Sequence, residues 1–408
     1  MLQSVVQRGV RYIVSHYLMT YLGYYGLLST LVVTLNAANF DAAQIAILVM
    51  VFTLTNKIAK MPLAYWLDKI PAATSVLLGC LMAAAGFLML AFAQGMLSTG
   101  GALVIAGTGI SINALASKQV AAAVSDGLAN RAHLFSKINI GINVAAAVAA
   151  PLALWLVTKQ QGSYVLFAVA AMYCLAGITT FSNFSRIDTE KCSTASSSFG
   201  VYANMLTIPG LRSFLMINFF GWLLYGQLFN VLALYVSKTL EMSGKLGWLY
   251  TLNALLVVFL QLAVMRLTAH WQIEKPILTV IAAYAIFSLA FISVYLVPGY
   301  FGAVMFVVIF TFAEMMFMPS MDVLLLSIIG QGSRAVGYSI LSISTALGET
   351  IGGGMGVAIY RGLADQGYSN SFWLLLALIS LLFTLITHVL ARKSHGLKRI
   401  GKDDLTSG

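Results

Sequence analysis

Long apolar runs broken by short polar turns set the pattern of this chain. They fall near 12–35, 43–67, 72–93, 102–124, 133–157 and 164–183, and again near 212–236, 246–268, 277–297, 302–326, 337–360 and 369–391. Each run is long enough to cross a bilayer as one helix, which takes about 20 apolar residues. The longest polar stretch, SRIDTEKCSTASSSFG at 185–200, divides the twelve runs six and six. The pattern predicts an all-α polytopic membrane protein with twelve transmembrane helices in two pseudo-symmetric six-helix bundles. The bundles cover 1–184 and 212–391, joined by a linker over 185–211 and followed by a tail over 392–408.

Composition agrees with this picture, since 60% of the 408 residues are hydrophobic and only 9% are charged. A soluble chain would carry about 25% charged residues. The net charge of +10 raises nucleic acid as a partner, but the placement of the basic residues argues for a bilayer instead. With the N-terminus in the cytoplasm, fifteen of the 23 Lys and Arg fall on the cytoplasmic side. Lys159, Lys238, Lys245 and Arg361 fall on the other, and Lys57, Lys60, Lys118 and Lys137 lie within spans. The positive-inside rule then puts both termini in the cytoplasm, in a bacterial inner membrane or a plasma membrane. The N-terminus MLQSVVQRGVR reads as polar and without a cleavable leader. Cys80, Cys174 and Cys192 form no CxxC and no His/Cys cluster, so neither a metal site nor a disulfide framework is expected.

The halves echo each other. Tyr25-Gly26 in the first span matches Tyr225-Gly226 in the seventh, and Arg131-Ala132 with Ser136 matches Arg334-Ala335 with Ser339. Similar offsets at corresponding helices point to an internal duplication.

Two six-helix halves with a polar central loop resemble the major facilitator superfamily, and the resemblance covers nearly the whole chain. The loop between the second and third spans, Ala64-Tyr65-Trp66-Leu67-Asp68-Lys69-Ile70-Pro71-Ala72, is similar to that family's G-x-L-A-D-R-x-G-R motif, keeping the Asp and one basic residue but neither glycine. Gly107-Thr108-Gly109 resembles the G-x-G of its fourth helix, and Leu103 stands where the motif has Arg. Ala150-Pro151 is a reduced form of the G-P that ends the antiporter motif. Glu314 to Pro319, followed by Arg334, is similar to the G-E-x-x-x-x-P then R-G pattern of helices 10 and 11. The resemblance implies a drug- or metabolite:proton antiporter-like carrier, with Asp68, Lys69, Arg131, Asp322 and Arg334 in its gate loops.

The residues that carry chemistry are the polar ones placed deep in apolar runs. Glu314 and Glu349 stand near the middle of the tenth and eleventh spans, where an acid is costly unless it faces a cavity or a partner. Desolvation favours their neutral form, which suits proton carriers. Glu349 also lies beside Gly348, Gly352 and Gly356, a spacing that lets another helix approach closely. Lys57 sits about 4 Å and Lys118 about 8 Å from the middle of their spans, at about 1.5 Å per residue. Both are placed as solute-binding cations, while Lys60 is open between a snorkelling role and a contact with Asp68. Tyr21 and Tyr25, on a stripe with Tyr17 and Tyr24, join Asn139, Asn143, Asn218, Trp222 and Tyr225 as candidate solute contacts. His16 reads as a hydrogen-bonded residue with proton shuttling as the alternative.

No Walker A motif and no nucleophile elbow occurs, so enzyme activity has no support. The expectation is a monomeric secondary transporter without cofactors, driven by the proton gradient and moving a small anionic or zwitterionic organic solute. Efflux of a metabolite or drug-like compound comes first. Proton-driven uptake of an organic anion, such as a carboxylate siderophore, a sugar acid or a small peptide, is the alternative. A channel or lipid scramblase is a further alternative, against which the duplicated halves stand.

Overall fold

The structure is a computed structural model that describes residues 2–125, 128–158, 162–184, 198–329 and 334–393. Its elements are α1 (Leu2–Ala37), α2 (Ala42–Ile58), α3 (Lys60–Leu67), α4 (Ala72–Phe92), α5 (Met96–Val124), α6 (Leu128–Thr158), α7 (Gly162–Phe184) and α8 (Ser198–Met205). They continue as α9 (Leu211–Phe229), α10 (Val231–Leu234) running into a π-turn at Tyr235–Thr239, α11 (Ser243–Glu274), α12 (Pro276–Leu296), α13 (Tyr300–Ile329), α14 (Arg334–Ala364) and α15 (Ser371–Lys393). Counting α2–α3 and α9–α10 each as one interrupted rod, the described residues form twelve long rods and the short α8.

Ten rods are both long and apolar enough to cross a membrane, and α1 and α14 complete the twelve by length. A helix can expose its flanks to lipid at that depth because it satisfies its own backbone hydrogen bonds. The interruptions have local causes. Asp41 opens α2 with a capping box: its side chain accepts from Gln44 N at 2.8 Å, and Gln44 Oε1 accepts from Asp41 N at 3.0 Å. The same rod breaks at Ala59, between Lys57 and Lys60. At the end of α9, Asn230 turns its amide back onto Gly226 O at 2.7 Å.

Two compact units are present. One comprises residues 1–126, 140–202 and 331–339, and the other 127–139, 203–330 and 340–408. The internal duplication is visible in which helices pack together. In the first unit α4 packs on α5 and α7, α1 on α7 and α5, and α2 on α5. In the second, α12 packs on α13 and α15, α9 on α15 and α13, and α11 on α13. The two lists are the same scheme, applied to helices in the same order.

Their cores are built differently. In the first unit, a Cβ on Gly109 would sit 2.2 Å from Ala83 N, and one on Gly86 would sit 2.4 Å from Ala106 N. Close backbone approach holds α4 to α5. In the second unit, Phe287, Phe291, Phe306, Phe310 and Trp373 form one aromatic cluster across α12, α13 and α15.

The start of α6 groups with the second unit and the start of α14 with the first. The linker contains a helix, α8, whose Val201 and Met205 are buried. Tyr202 of α8 donates to Met61 O, and its hydroxyl lies 3.4 Å from Ser339 Oγ. The linker residues 185–197 and the tail from 394 lie outside the described residues.

Candidate functional site

Glu314 lies midway along α13 and is 2% exposed. Asn253 Nδ2 on α11 donates to its Oε2 at 2.7 Å, and the Tyr225 hydroxyl on α9 donates to Oε1 at 3.3 Å. Asn253 also donates to Thr311 Oγ1 at 2.9 Å, one turn before the acid. Every one of these partners is uncharged. The Tyr225 ring is itself held by Trp222, Phe229 and Phe310, at centroid distances of 5.0, 5.7 and 5.8 Å. Tyr225, expected to touch solute, is thus a half-buried neighbour of the acid, and Trp222, expected in the same role, packs on the Tyr225 ring.

Glu349 is half-buried on α14, and its backbone marks a tight crossing. A Cβ on Gly348 would meet Phe219 O at 2.4 Å, one on Gly352 would meet Leu223 O at 2.4 Å, and one on Gly356 would meet Gln227 Oε1 at 2.2 Å. From the other side, Gly226 faces Glu349 O. Gln227 Nε2 donates to Gly352 O at 2.8 Å across this seam. Asn218 belongs to the same seam. It is 0% exposed, and its amide donates to Ser344 Oγ at 3.0 Å and Thr345 Oγ1 at 3.1 Å. It lies between α9 and α14. Asn139 likewise donates to Gln261 Oε1 at 2.9 Å, and Gln261 passes the chain on to Met315 O at 3.0 Å.

The cations belong to the first unit. Lys57 and Lys118 are half-buried, on α2 and α5. Lys118 Nζ lies 4.9 Å from the centre of the Tyr338 ring. Asn56, beside Lys57, donates to the Tyr24 hydroxyl at 3.4 Å. Tyr21 and Tyr25 are half-buried members of one ring stack, 5.7 Å apart between centroids. Asn143 is buried on α6. His16 is enclosed in the same unit: Nε2 is 2.9 Å from Asn113 Oδ1, and Nδ1 is 2.9 Å from Thr180 Oγ1.

Asp68 shows what the expected gate residues do. Its carboxylate accepts from Ala335 N at 2.8 Å and Val336 N at 3.2 Å, which are among the unsatisfied donors at the start of α14. Gln119 Nε2 adds a third bond at 2.8 Å. Negative charge at a helix N-terminus is favourable, but burial opposes it and pushes the carboxyl up to about 6, the three bonds offsetting part of the shift. Lys69 donates to the Tyr65 hydroxyl at 2.7 Å and sits over the Tyr65 and Trp66 rings. Arg131 lies in the first turn of α6, Arg334 opens α14, and Asp322 is half-buried near the end of α13.

A pH dependence follows. An acid whose folded value lies above its unfolded one contributes its stability below the unfolded value and loses it as pH rises through the folded value. From pH 4 to pH 7, the wild-type protein should therefore lose thermal stability relative to Asp68→Asn. Melting both proteins at pH 4, 5, 6 and 7 checks this, and parallel curves would show that Asp68 does not titrate in that window.

Sequence reasoning passed over Asn253, Gln261, Gln119, Ser111 and Tyr202. Asn253 and Gln261 were detectable as amides spaced by eight residues within one apolar run, a spacing that returns to nearly the same helix face.

A family model described as Major Facilitator Superfamily matches residues 13–353. No curated protein matches the sequence. Among solved structures, the human organic anion transporter MFSD10 (TETRAN) is similar with a TM-score of 0.77 at 13% identity, over 94% of this chain and 99% of that one. A bacterial homologue of the iron transporter ferroportin, in the outward-facing state, has a TM-score of 0.77 at 13% identity, over 94% and 99%. The E. coli fucose:proton symporter FucP has a TM-score of 0.68 at 14% identity, over 93% and 98%. Likeness at this level of identity is likeness of fold.

Proposed function

The chain belongs to the Major Facilitator Superfamily, and from that premise we propose that it is a proton-coupled transporter of a small organic anion, with Glu314 as the proton carrier. It is an integral membrane transporter, not an enzyme. The observation that carries the proton-coupled reading is the setting of Glu314, an enclosed carboxyl in mid-helix held by a phenol and an amide and, among the described residues, by no cation.

Magnitudes explain why that setting suits coupling. An ionisable side chain at the centre of a spanning helix costs about 2.5–3.5 kcal/mol on insertion scales. A hydrogen bond to a charged group returns about 1.5–3 kcal/mol. Two such bonds leave the charged and neutral forms close in free energy, so a modest change in hydration switches between them. A salt bridge would have locked the charge in place.

The anionic solute is inferred from Lys57 and Lys118, held by the first unit beside the tyrosine stack of α1. The organic anion transporter MFSD10 among the fold neighbours is compatible with it. Efflux by exchange with protons is the preferred direction, and co-transport inward is the alternative. Proteoliposomes with an imposed pH gradient distinguish them: exchange concentrates the solute on the acidic side, and co-transport on the alkaline side.

The orientation is tested separately. With both termini in the cytoplasm, a cysteine at the exposed Thr207 is shielded from an impermeant thiol reagent in intact cells, in a background lacking Cys80, Cys174 and Cys192. A cysteine at the exposed Gln366 reacts. The reverse labelling pattern would invert the topology.

A further inference from the structure

We propose that Glu314 takes up and releases its proton at one oxygen, Oε1, and that Tyr225 is the group through which that proton passes, with Asn253 and Thr311 as positioning residues that hold Oε2 out of the transfer. The inference rests on the proton-coupled reading above and deepens it.

The bonds fix which oxygen does what. Thr311 Oγ1 donates to Val307 O at 2.6 Å, one turn earlier on α13. Two oxygens approach that closely only with the hydrogen between them, so the hydroxyl has acceptor capacity alone left to offer. Asn253 must therefore present its NH2 group to Thr311 Oγ1, at 2.9 Å, and not its carbonyl oxygen. The same nitrogen reaches Glu314 Oε2 at 2.7 Å. An amide nitrogen carries two hydrogens, and each acceptor takes one. Oε2 accordingly accepts a bond whose direction is set by the thread from Val307 through Thr311 and Asn253. When the carboxyl is protonated, Oε2 stays the carbonyl oxygen and the hydrogen sits on Oε1.

Oε1 is held differently. The Tyr225 hydroxyl meets it at 3.3 Å, longer than the usual O–H···O distance of about 2.8 Å. A phenol can donate or accept. It donates to the carboxylate and accepts from the neutral acid, so both forms of Glu314 keep this contact. Burial points the same way: Asn253 is 6% exposed and Thr311 0%, whereas Tyr225 is half-buried. The charged residues of α9 and α11, among them Arg212, Lys245 and Arg266, stand more than two turns from Tyr225 and Asn253 along their helices, and α12 has none. Tyr284 on α12 gives its hydroxyl to Ile217 O, and Tyr250 on α11 stacks on Phe229. Loading then balances in two transfers. The phenol hydrogen passes to Oε1 as its O–H bond breaks, and the phenol oxygen takes a proton from hydronium on its exposed side. Release runs the two in reverse, with water as the acceptor.

Infrared difference spectroscopy of the purified full-length protein, stepped from alkaline to acidic buffer, tests this with the proton as the only probe. The carboxyl band lost in Glu314→Gln belongs to Glu314. Asn253→Leu should move that band to higher wavenumber, because its carbonyl loses a hydrogen bond, while Tyr225→Phe should move it less. In wild type a tyrosine C–O band should shift together with the carboxyl band, as the phenol turns from donor to acceptor. That shift should be missing in Tyr225→Phe, and reading it needs no Asn253 variant. After a rapid drop in pH, the carboxyl band should grow about tenfold more slowly or worse in Tyr225→Phe. A carboxyl band moved by Tyr225→Phe and not by Asn253→Leu, or one that grows at the wild-type rate without the phenol, would overturn the proposal and leave proton coupling standing. The absence of any carboxyl band that Glu314→Gln removes would overturn both.

Discussion

Glu314→Gln should abolish solute accumulation driven by a pH gradient while leaving solute exchange intact. A one-unit gradient is worth about 1.4 kcal/mol for each coupled proton, which sustains about a tenfold concentration ratio. Wild-type vesicles should approach that ratio, and the variant should stay at about one. The substitution is chosen for its conservatism. Glutamine has nearly the shape of the protonated acid, so its carbonyl can still accept from Tyr225 or Asn253. It carries no charge to desolvate, so folding should not suffer. What it cannot do is release a proton on the low-proton side. Exchange of labelled for unlabelled solute needs only alternation of the loaded carrier and should continue. Glu349→Gln is the comparison, with a milder defect, since that acid stands on the glycine seam. Accumulation at the wild-type ratio in Glu314→Gln vesicles would remove Glu314 from coupling.

Gly352→Ala should cost more folded protein than any other single-methyl change on α14, although alanine is the better helix former by about 1 kcal/mol. The added Cβ would sit 2.4 Å from Leu223 O and 2.7 Å from its Cα, both backbone atoms of α9. No rotamer change can make room, so the helices must separate. Separation also strains the Gln227 bond to Gly352 O. Overpacking of this kind costs about 1–3 kcal/mol, and here the clash is with main chain. Gly354→Ala, two residues away, meets nothing within 4 Å and should be neutral or stabilising. Comparing the melting temperatures and monodisperse yields of the two variants checks the seam. Equal behaviour would mean that α9 and α14 are not in close contact.

What could be read from the chain differs between helices for physical reasons. The twelve spans were legible because a bilayer demands long apolar runs, and Glu314, Lys57 and Lys118 stood out because ionisable residues are rare there. Their surroundings were not legible. The partners of Glu314 come from α9 and α11, and nothing in an apolar run states which side faces a neighbour. Asn218 has the same depth and chemistry as a cavity residue, yet it is spent on Ser344 and Thr345. The α9–α14 seam was visible because its glycines repeat at four residues on one helix. The equally tight α4–α5 crossing was hidden because Gly79, Gly86 and Gly109 are shared between two helices. Helix α8 was missed because a polar linker gives no apolar periodicity to read. Asp68 was identified through its motif, but its partners at the start of α14 lie more than 260 residues away in sequence.

The central claim is that solute and proton move as one coupled event through Glu314. It is tested most directly by a pH indicator trapped inside proteoliposomes, with no gradient imposed and with the best-binding anion added outside. In wild-type vesicles the account predicts a change in internal pH that begins with solute entry and stops when entry stops. Glu314→Gln vesicles preloaded with the unlabelled anion should take up labelled anion by exchange without the pH change. Solute entry in wild-type vesicles with no change in internal pH would contradict the account.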